Sequence, residues 1–164
     1  PTRDSGTFSY ATHAALVAVD PEIGDVEILG YVIVEDGGKL VNPMIVDGQI
    51  YGGFAQGVGT ALYEEMPFDR AGQPLNTTLA DYLLPGPTEV PEPWLDHMET
   101  PSPYTKFGVK GIGEGGAIAP RAAIGNAIND ALRRLGAEML HSPITPKRIV
   151  EAILAAREAE RPAA

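Results

Sequence analysis

The sequence predicts an α+β fold: a mostly antiparallel sheet with a long N-terminal hairpin, followed by three packed helices. Two early stretches, 8–19 and 26–36, are rich in β-branched and aromatic residues and flank a Pro- and Gly-bearing turn. Three later stretches carry apolar residues at helical spacing. Strands grouped first and helices grouped later favour α+β over a repeating βαβ pattern. With 164 residues, 44% of them hydrophobic, the chain can bury one core, so a single domain over 1–164 is expected, with 1–7 and 155–164 as flexible ends.

In chain order, FSYATHAALVAV and VEILGYVIVED read as two long strands joined across DPEIGD, whose Pro and Gly suit a tight turn. Residues 43–65 place Ile50, Phe54, Val58, Ala61 and Leu62 at helical spacing, with Pro43 suited to a first turn and Pro67 to a stop. Eight of the 15 prolines fall within 67–104, so loops, a turn at Arg70-Ala71-Gly72 and short strands such as LADYLL are expected there. A second helix is expected over 117–135, burying Ile118, Ala122, Ile124, Ile128, Ala131, Leu132 and Leu135, with Gly136 as its C-cap. A last helix opens with Thr145 as N-cap and Pro146 in its first turn, and ends in a charged tail.

Charge and composition exclude several classes of function. Twelve Lys and Arg stand against 22 Asp and Glu, a formal charge of −10, which repels nucleic-acid phosphates and anionic lipid heads. With no cysteine, the chain holds no disulfide, no thiolate metal site and no cysteine-ligated iron–sulfur cluster. The first residues lack a signal-peptide layout, and no window reaches the ~18 apolar residues of a membrane span; a cytoplasmic protein is expected. Pro1 in place of Met suggests a start within a longer protein. His13, His97 and His141 lack helical pairing and read as polar core or surface residues, not metal ligands. No G-x-S-x-G is present for a serine nucleophile.

Two glycine-rich stretches remain. The helix-like 43–65 segment includes Gly52, Gly53, Gly57 and Gly59, each costing about 0.8–1 kcal/mol relative to alanine inside a helix. Close approach of another backbone or of a ligand would compensate. Gln49 and Gln56, seven residues apart, fall within about 20° of each other on a helix, so either tight packing or a polar ligand suits that face. The second stretch, KGIGEGGAIAP, matches G-x-G-x-x-G through Gly111, Gly113 and Gly116. Its context does not suit a dinucleotide: the preceding segment is interrupted by proline, and Glu114 would face the pyrophosphate. A carboxylate in a glycine loop ahead of a helix feels the positive helix end, while burial opposes its charge, and a general base uses that balance. Glu114 therefore reads either as a general base or as a helix cap. Lys110 could pair with it or hold an anionic ligand group.

The ordered set VNPMIVDGQIYGGFAQGVGTALYEE, ADYLLP and ETPSPYTKFGVKGIGEGGAIAPRAAIGNAINDAL closely resembles the C-terminal part of the molybdenum-binding large subunit of the xanthine dehydrogenase and aerobic carbon monoxide dehydrogenase family. The similarity runs from about Phe8 to Ile153. It implies the second molybdopterin-binding half of such a subunit, a fragment whose upstream half carries further cofactor and substrate contacts, so the isolated chain is expected to be inactive. By that resemblance Glu114, in the K-G-x-G-E-x-G stretch, is the general base for a metal-bound water or hydroxide that attacks substrate. Gln49, in N-P-x-x-x-x-G-Q, hydrogen-bonds the cofactor. Asn42, Ile45, Lys110, Gly111, Ile112 and Gly113 line the pyranopterin and its dinucleotide extension, and Gln56 lies on the same face. No residue ligates molybdenum directly, since the pterin dithiolene holds it. The resemblance also implies a molybdenum cofactor in its cytosine dinucleotide form, with FAD and 2Fe-2S clusters on partner chains or domains, in a dimer of heteromers. Carbon monoxide, aldehydes and N-heterocycles are the substrate classes. A non-catalytic cofactor-docking or assembly module is the alternative for the isolated chain.

Overall fold

The computed structural model describes residues 6–159. Strand β1 (Tyr10–Val19) and strand β2 (Val26–Asp36) form the expected hairpin, paired antiparallel from Tyr10↔Asp36 to Val19↔Val26. Its turn is fixed by the Asp20 carboxylate, which accepts hydrogen bonds from the Glu22 and Ile23 amides at 2.8 and 3.3 Å. A bulge between Leu16 and Val17 interrupts the register opposite Gly30. The third strand, β3 (Trp94–Met98), joins the free edge of β2 in parallel, so the sheet is mixed and not mostly antiparallel. LADYLL is loop and turn instead of strand: Thr78 starts a turn there, accepting from the Asp81 and Tyr82 amides at 3.1 and 2.9 Å.

Helix α1 (Pro43–Leu62) is started by the Asn42 side chain, which accepts from the Ile45 amide, and by Pro43 in its first turn. Val46, Ile50, Phe54 and Val58 recur every four residues and are buried, meeting Tyr31 and Ile33 from β2. The Tyr31 and Phe54 rings lie 4.3 Å apart between centroids. The helix expected over 117–135 is instead broken into α2 (Gly115–Ile118), α3 (Pro120–Leu132) and a 3₁₀ turn (Arg133–Leu135). Pro120 accounts for the break, because its ring blocks continuation from the preceding turn. The break rotates the faces: Ile124, Ile128 and Leu132 are buried as expected, whereas Ile118 is 74% exposed and Ala122 and Ala131 are exposed. Gly136 caps that stretch in the left-handed region at φ 67°. Helix α4 (Pro146–Ala159) starts at Thr145, whose carbonyl accepts from the Ile149 amide, and buries Ile149 and Ile153. Of the expected flexible ends, 6–7 lack regular structure and 155–159 continue α4, while 1–5 and 160–164 lie outside the described residues.

The glycines of α1 divide by what they face. A β-carbon at Gly53 would meet the Ala117 amide nitrogen at 2.9 Å, and one at Gly57 would meet Pro120 Cγ at 2.5 Å. One at Gly116 would press on the Ile50 backbone at 3.0 Å. Gly53, Gly57 and Gly116 thus let the 115–120 segment rest backbone to backbone on α1. Gly48 and Gly52 face open space.

Candidate functional site

Glu114 stands immediately before α2, on a loop fastened at both ends. Upstream, Gly38 bridges Val109, the Lys110 amide donates to the Gly37 carbonyl at 2.9 Å, and the Lys39 and Ser102 amides donate to the Gly108 carbonyl at 3.2 and 3.0 Å. Downstream, Gly116 is seated on α1. The Glu114 side chain makes no capping hydrogen bond; the turn is closed by its carbonyl, which accepts from the Ala117 amide at 2.9 Å. Because α2 is only four residues long, a long-helix dipole does not act on Glu114. The side chain is exposed and lines a cavity of about 380 Å³ together with Gly111, Gly113, Glu35 and the start of β1 at Ser9–Ala11.

Lys110 pairs with Asp36, not with Glu114. Its Nζ donates to Asp36 Oδ1 at 3.1 Å in a contact where both side chains are nearly inaccessible, and it lies 5.0 Å from the centroid of the Tyr10 ring. Burial alone would push the Asp36 carboxyl up, but the nearby Thr100 and the hydrogen bonds that Oδ1 accepts from the Gly38 amide and Lys110 hold it well below the usual carboxylate range.

A second cavity, of about 290 Å³, lies between the start of α1 and the 109–112 segment; Asn42, Ile45, Lys110 and Ile112 line it. Alternate residues of the extended loop serve the two cavities, Lys110 and Ile112 one, Gly111 and Gly113 the other. A β-carbon at Gly111 or Gly113 would meet nothing within 4 Å, so the backbone there is open to a large ligand. Seven of the residues singled out by sequence therefore gather around one loop. Gln49 and Gln56 do not join them: both are exposed on α1 and line neither cavity.

Glu35 was not singled out by sequence. It is 1% exposed, neither carboxylate oxygen has a hydrogen-bond partner among the described residues, and a β-carbon at Gly115 would run into it. Burial pushes its carboxyl up to about 7, with the charge of His97 drawing it partly back. The signal was parity: Tyr31, Ile33 and Glu35 share the inward face of β2. His97, paired in register with Glu35 on β3, places Nε2 2.7 Å from Asp47 Oδ1 on α1 and leaves Nδ1 buried without a partner. Among the described residues no group of three or more His, Cys, Asp or Glu side chains is placed to hold a metal ion.

The arrangement sets open glycine backbone and two carboxyl groups, those of Glu35 and Glu114, on the wall of one cavity. The profile of the molybdopterin cofactor-binding domain family matches residues 2–91. The nicotine 6-hydroxylase large subunit of Paenarthrobacter nicotinovorans is 43% identical over 145 residues, 88% of this chain and 18% of that subunit. The carbon monoxide dehydrogenase large chain of Hydrogenophaga pseudoflava is 34% identical over 143 residues, 87% of this chain and 18% of that one. The crystal structure of quinoline 2-oxidoreductase from Pseudomonas putida 86 superposes with a TM-score of 0.84 at 45% identity, covering 92% of this chain and 18% of that one. The chain belongs to the molybdopterin cofactor-binding domain family, as a segment of the large subunit of the xanthine dehydrogenase and carbon monoxide dehydrogenase family of molybdenum hydroxylases. It spans less than a fifth of the length of these relatives.

Proposed function

We propose that this chain forms one wall of the molybdopterin site of a molybdenum-dependent hydroxylase and that Glu114 is the general base of that site. One observation carries the assignment: Glu114 is an uncapped carboxylate held over a 380 Å³ cavity by a loop pinned at both ends. A residue needed only as a helix cap would turn its carboxylate onto the amides of α2, and Glu114 does not.

The bound molybdenum cofactor would supply Lewis-acid activation and two-electron redox chemistry. The residues of this chain suit such a group, because the Gly111 and Gly113 backbone is open and the neighbouring cavity reaches Asn42, Ile45 and Ile112. In this proposal Gly111, Ile112 and Gly113 press their backbone against the pterin, while Asn42, Ile45 and Lys110 line its extension, a cytosine dinucleotide. Gln49 and Gln56 bind the cofactor from the exposed face of α1. Glu114 accepts the proton of the attacking water oxygen, and its pinned loop holds the carboxylate in place for that transfer. Partner chains or domains would hold the 2Fe-2S clusters and FAD that accept the electrons, and the substrate would be carbon monoxide, an aldehyde or an N-heterocycle.

Glu114→Gln in the complete enzyme tests this. Molybdenum content should stay near normal while turnover falls by at least about a hundredfold, the usual scale of a lost general base. Unchanged turnover would remove Glu114 from that role. The short span of the chain against its relatives favours one other reading for the isolated chain, a docking module that holds cofactor without turnover. Retention of cofactor by the isolated chain, with no activity until the rest of the subunit is supplied, would establish it.

A further inference from the structure

Glu35 has no part in the function proposed above, yet its surroundings are unusual. A carboxyl group that is 1% exposed and makes no hydrogen bond among the described residues is costly unless it carries a proton or exchanges one. It occupies the middle of a sheet rung, with Ala11 of β1 on one side and His97 of β3 on the other. Towards β1 it lines the same cavity as Glu114. Towards β3, neighbouring strands lie about 4.8 Å apart, and the adjacent His97 has a buried Nδ1 without a partner while its Nε2 is bound to Asp47. Asp47 itself is 40% exposed at its side chain, so the row ends in solvent.

We propose that Glu35 relays protons, connecting Glu114 in the cavity to the His97–Asp47 pair at the surface. This rests on the assignment of Glu114 as the base. After Glu114 has taken a proton, its carboxylic acid returns to carboxylate by passing that proton through cavity water to the Glu35 carboxylate. Glu35 then passes it, through a bridging water and not by direct contact, across the β2–β3 rung to His97 Nδ1. The Nε2 proton of the resulting imidazolium leaves through the Asp47 carboxylate to solvent, and exchange of the neutral ring back to its Nε2–H tautomer resets the row, with no electron moved. Each group along the row suits its step. Glu35 ionises near 7, close to the pH at which it must both accept and give a proton, and Asp47 fixes the His97 tautomer by accepting from Nε2, which leaves Nδ1 to receive. The other titratable groups beside Glu35 are Tyr10, on the cavity wall, and Asp36, the next residue, already engaged by Lys110.

The test uses the complete molybdenum enzyme with Glu35→Gln and, for a change at the surface end of the row, His97→Gln. Both variants should keep their molybdenum content. Turnover should fall roughly a hundredfold, the low end of the effect of a lost proton-transfer group, and added imidazole should restore much of it, which it would not do for a packing defect. The pH dependence of kcat in the unmodified enzyme should show a limb near 7 that is missing in Glu35→Gln. Independently of turnover, infrared titration of the unmodified enzyme should show a protonated-carboxyl band that disappears as pH rises through about 7 and is absent from Glu35→Gln. Normal kcat and an unaltered pH profile in Glu35→Gln, or a loss that imidazole does not restore, overturns the relay. If Glu114→Gln turns over normally while the Glu35 band still titrates near 7, the base assignment fails and the ionisation of Glu35 stands. If Glu114→Gln is inactive and Glu35→Gln is normal, only the relay fails.

Discussion

Two adjacent acids at the end of β2, Glu35 and Asp36, respond to burial in opposite ways because only one has partners. Asp36 is held charged by Lys110, Thr100 and the Gly38 amide, so it stabilises the fold above its ordinary value of 3.8 and loses that contribution as pH falls below it. Removing the cation alone, as in Lys110→Met, strands a buried carboxylate and should cost about 3–5 kcal/mol in denaturant unfolding, with the double change Asp36→Asn, Lys110→Met costing much less. Glu35 has the reverse sign. Unfolded, it ionises near 4.5; folded, near 7, so the folded state holds an extra proton between those values and stability drains as pH rises across them. Relative to Glu35→Gln, the unmodified chain should lose roughly 3 kcal/mol of unfolding free energy over that range, at about 1.36 kcal/mol per pH unit. A parallel pH dependence in the two proteins would show that Glu35 is ionised throughout. At this scale the sequence exposed Glu114, because a lone acid among glycines stands out, but not the row of Glu35, His97 and Asp47. His97 and Asp47 are 50 residues apart, and only the pairing of β3 with β2 brings Glu35 into line with them.

The elements with strong periodicity were legible: the hairpin, α1 and the start of α4 lie where alternation, four-residue spacing, Pro43, Pro146 and the Thr145 cap put them. Two features were not. The parallel attachment of β3 depends on a long proline-rich connection whose path no local pattern encodes. The break at Pro120 was hidden by the apolar run on both sides of it, and it decides the site, since it lets 115–118 turn onto α1. Gly53 and Gly57, which the 115–120 segment covers, are thereby separated from Gly48 and Gly52, which face open space, a division that spacing alone left open. Gly53→Ala would drive a β-carbon into the backbone of Gly116 and Ala117, which cannot give way as a side chain would, and should destabilise by about 1–3 kcal/mol while disturbing the Glu114 loop. Gly52→Ala, with open space before it, should stabilise by up to about 1 kcal/mol through helix propensity. Equal effects of the two changes in urea unfolding would mean that the helix crossing is not what those glycines serve.

At the scale of the molecule, a small mixed sheet and its helices hold a loop whose two sides open onto separate cavities, and large apolar side chains around it remain uncovered: Val41 at 81% exposure, Met44 at 77% and Ile118 at 74%. Such a surface suits a wall completed by other parts of a larger subunit, consistent with the small share of its relatives that the chain spans. If Glu114 is the base, its side of the 110–116 loop faces the molybdenum end of the cofactor. A structure of the complete enzyme with its cofactor bound tests it most directly. The Glu114 carboxylate should be turned into the cavity towards the metal, with the open backbone of Gly111 and Gly113 against the pterin. A cofactor lying against the opposite face of the sheet, with Glu114 turned to solvent, would contradict it.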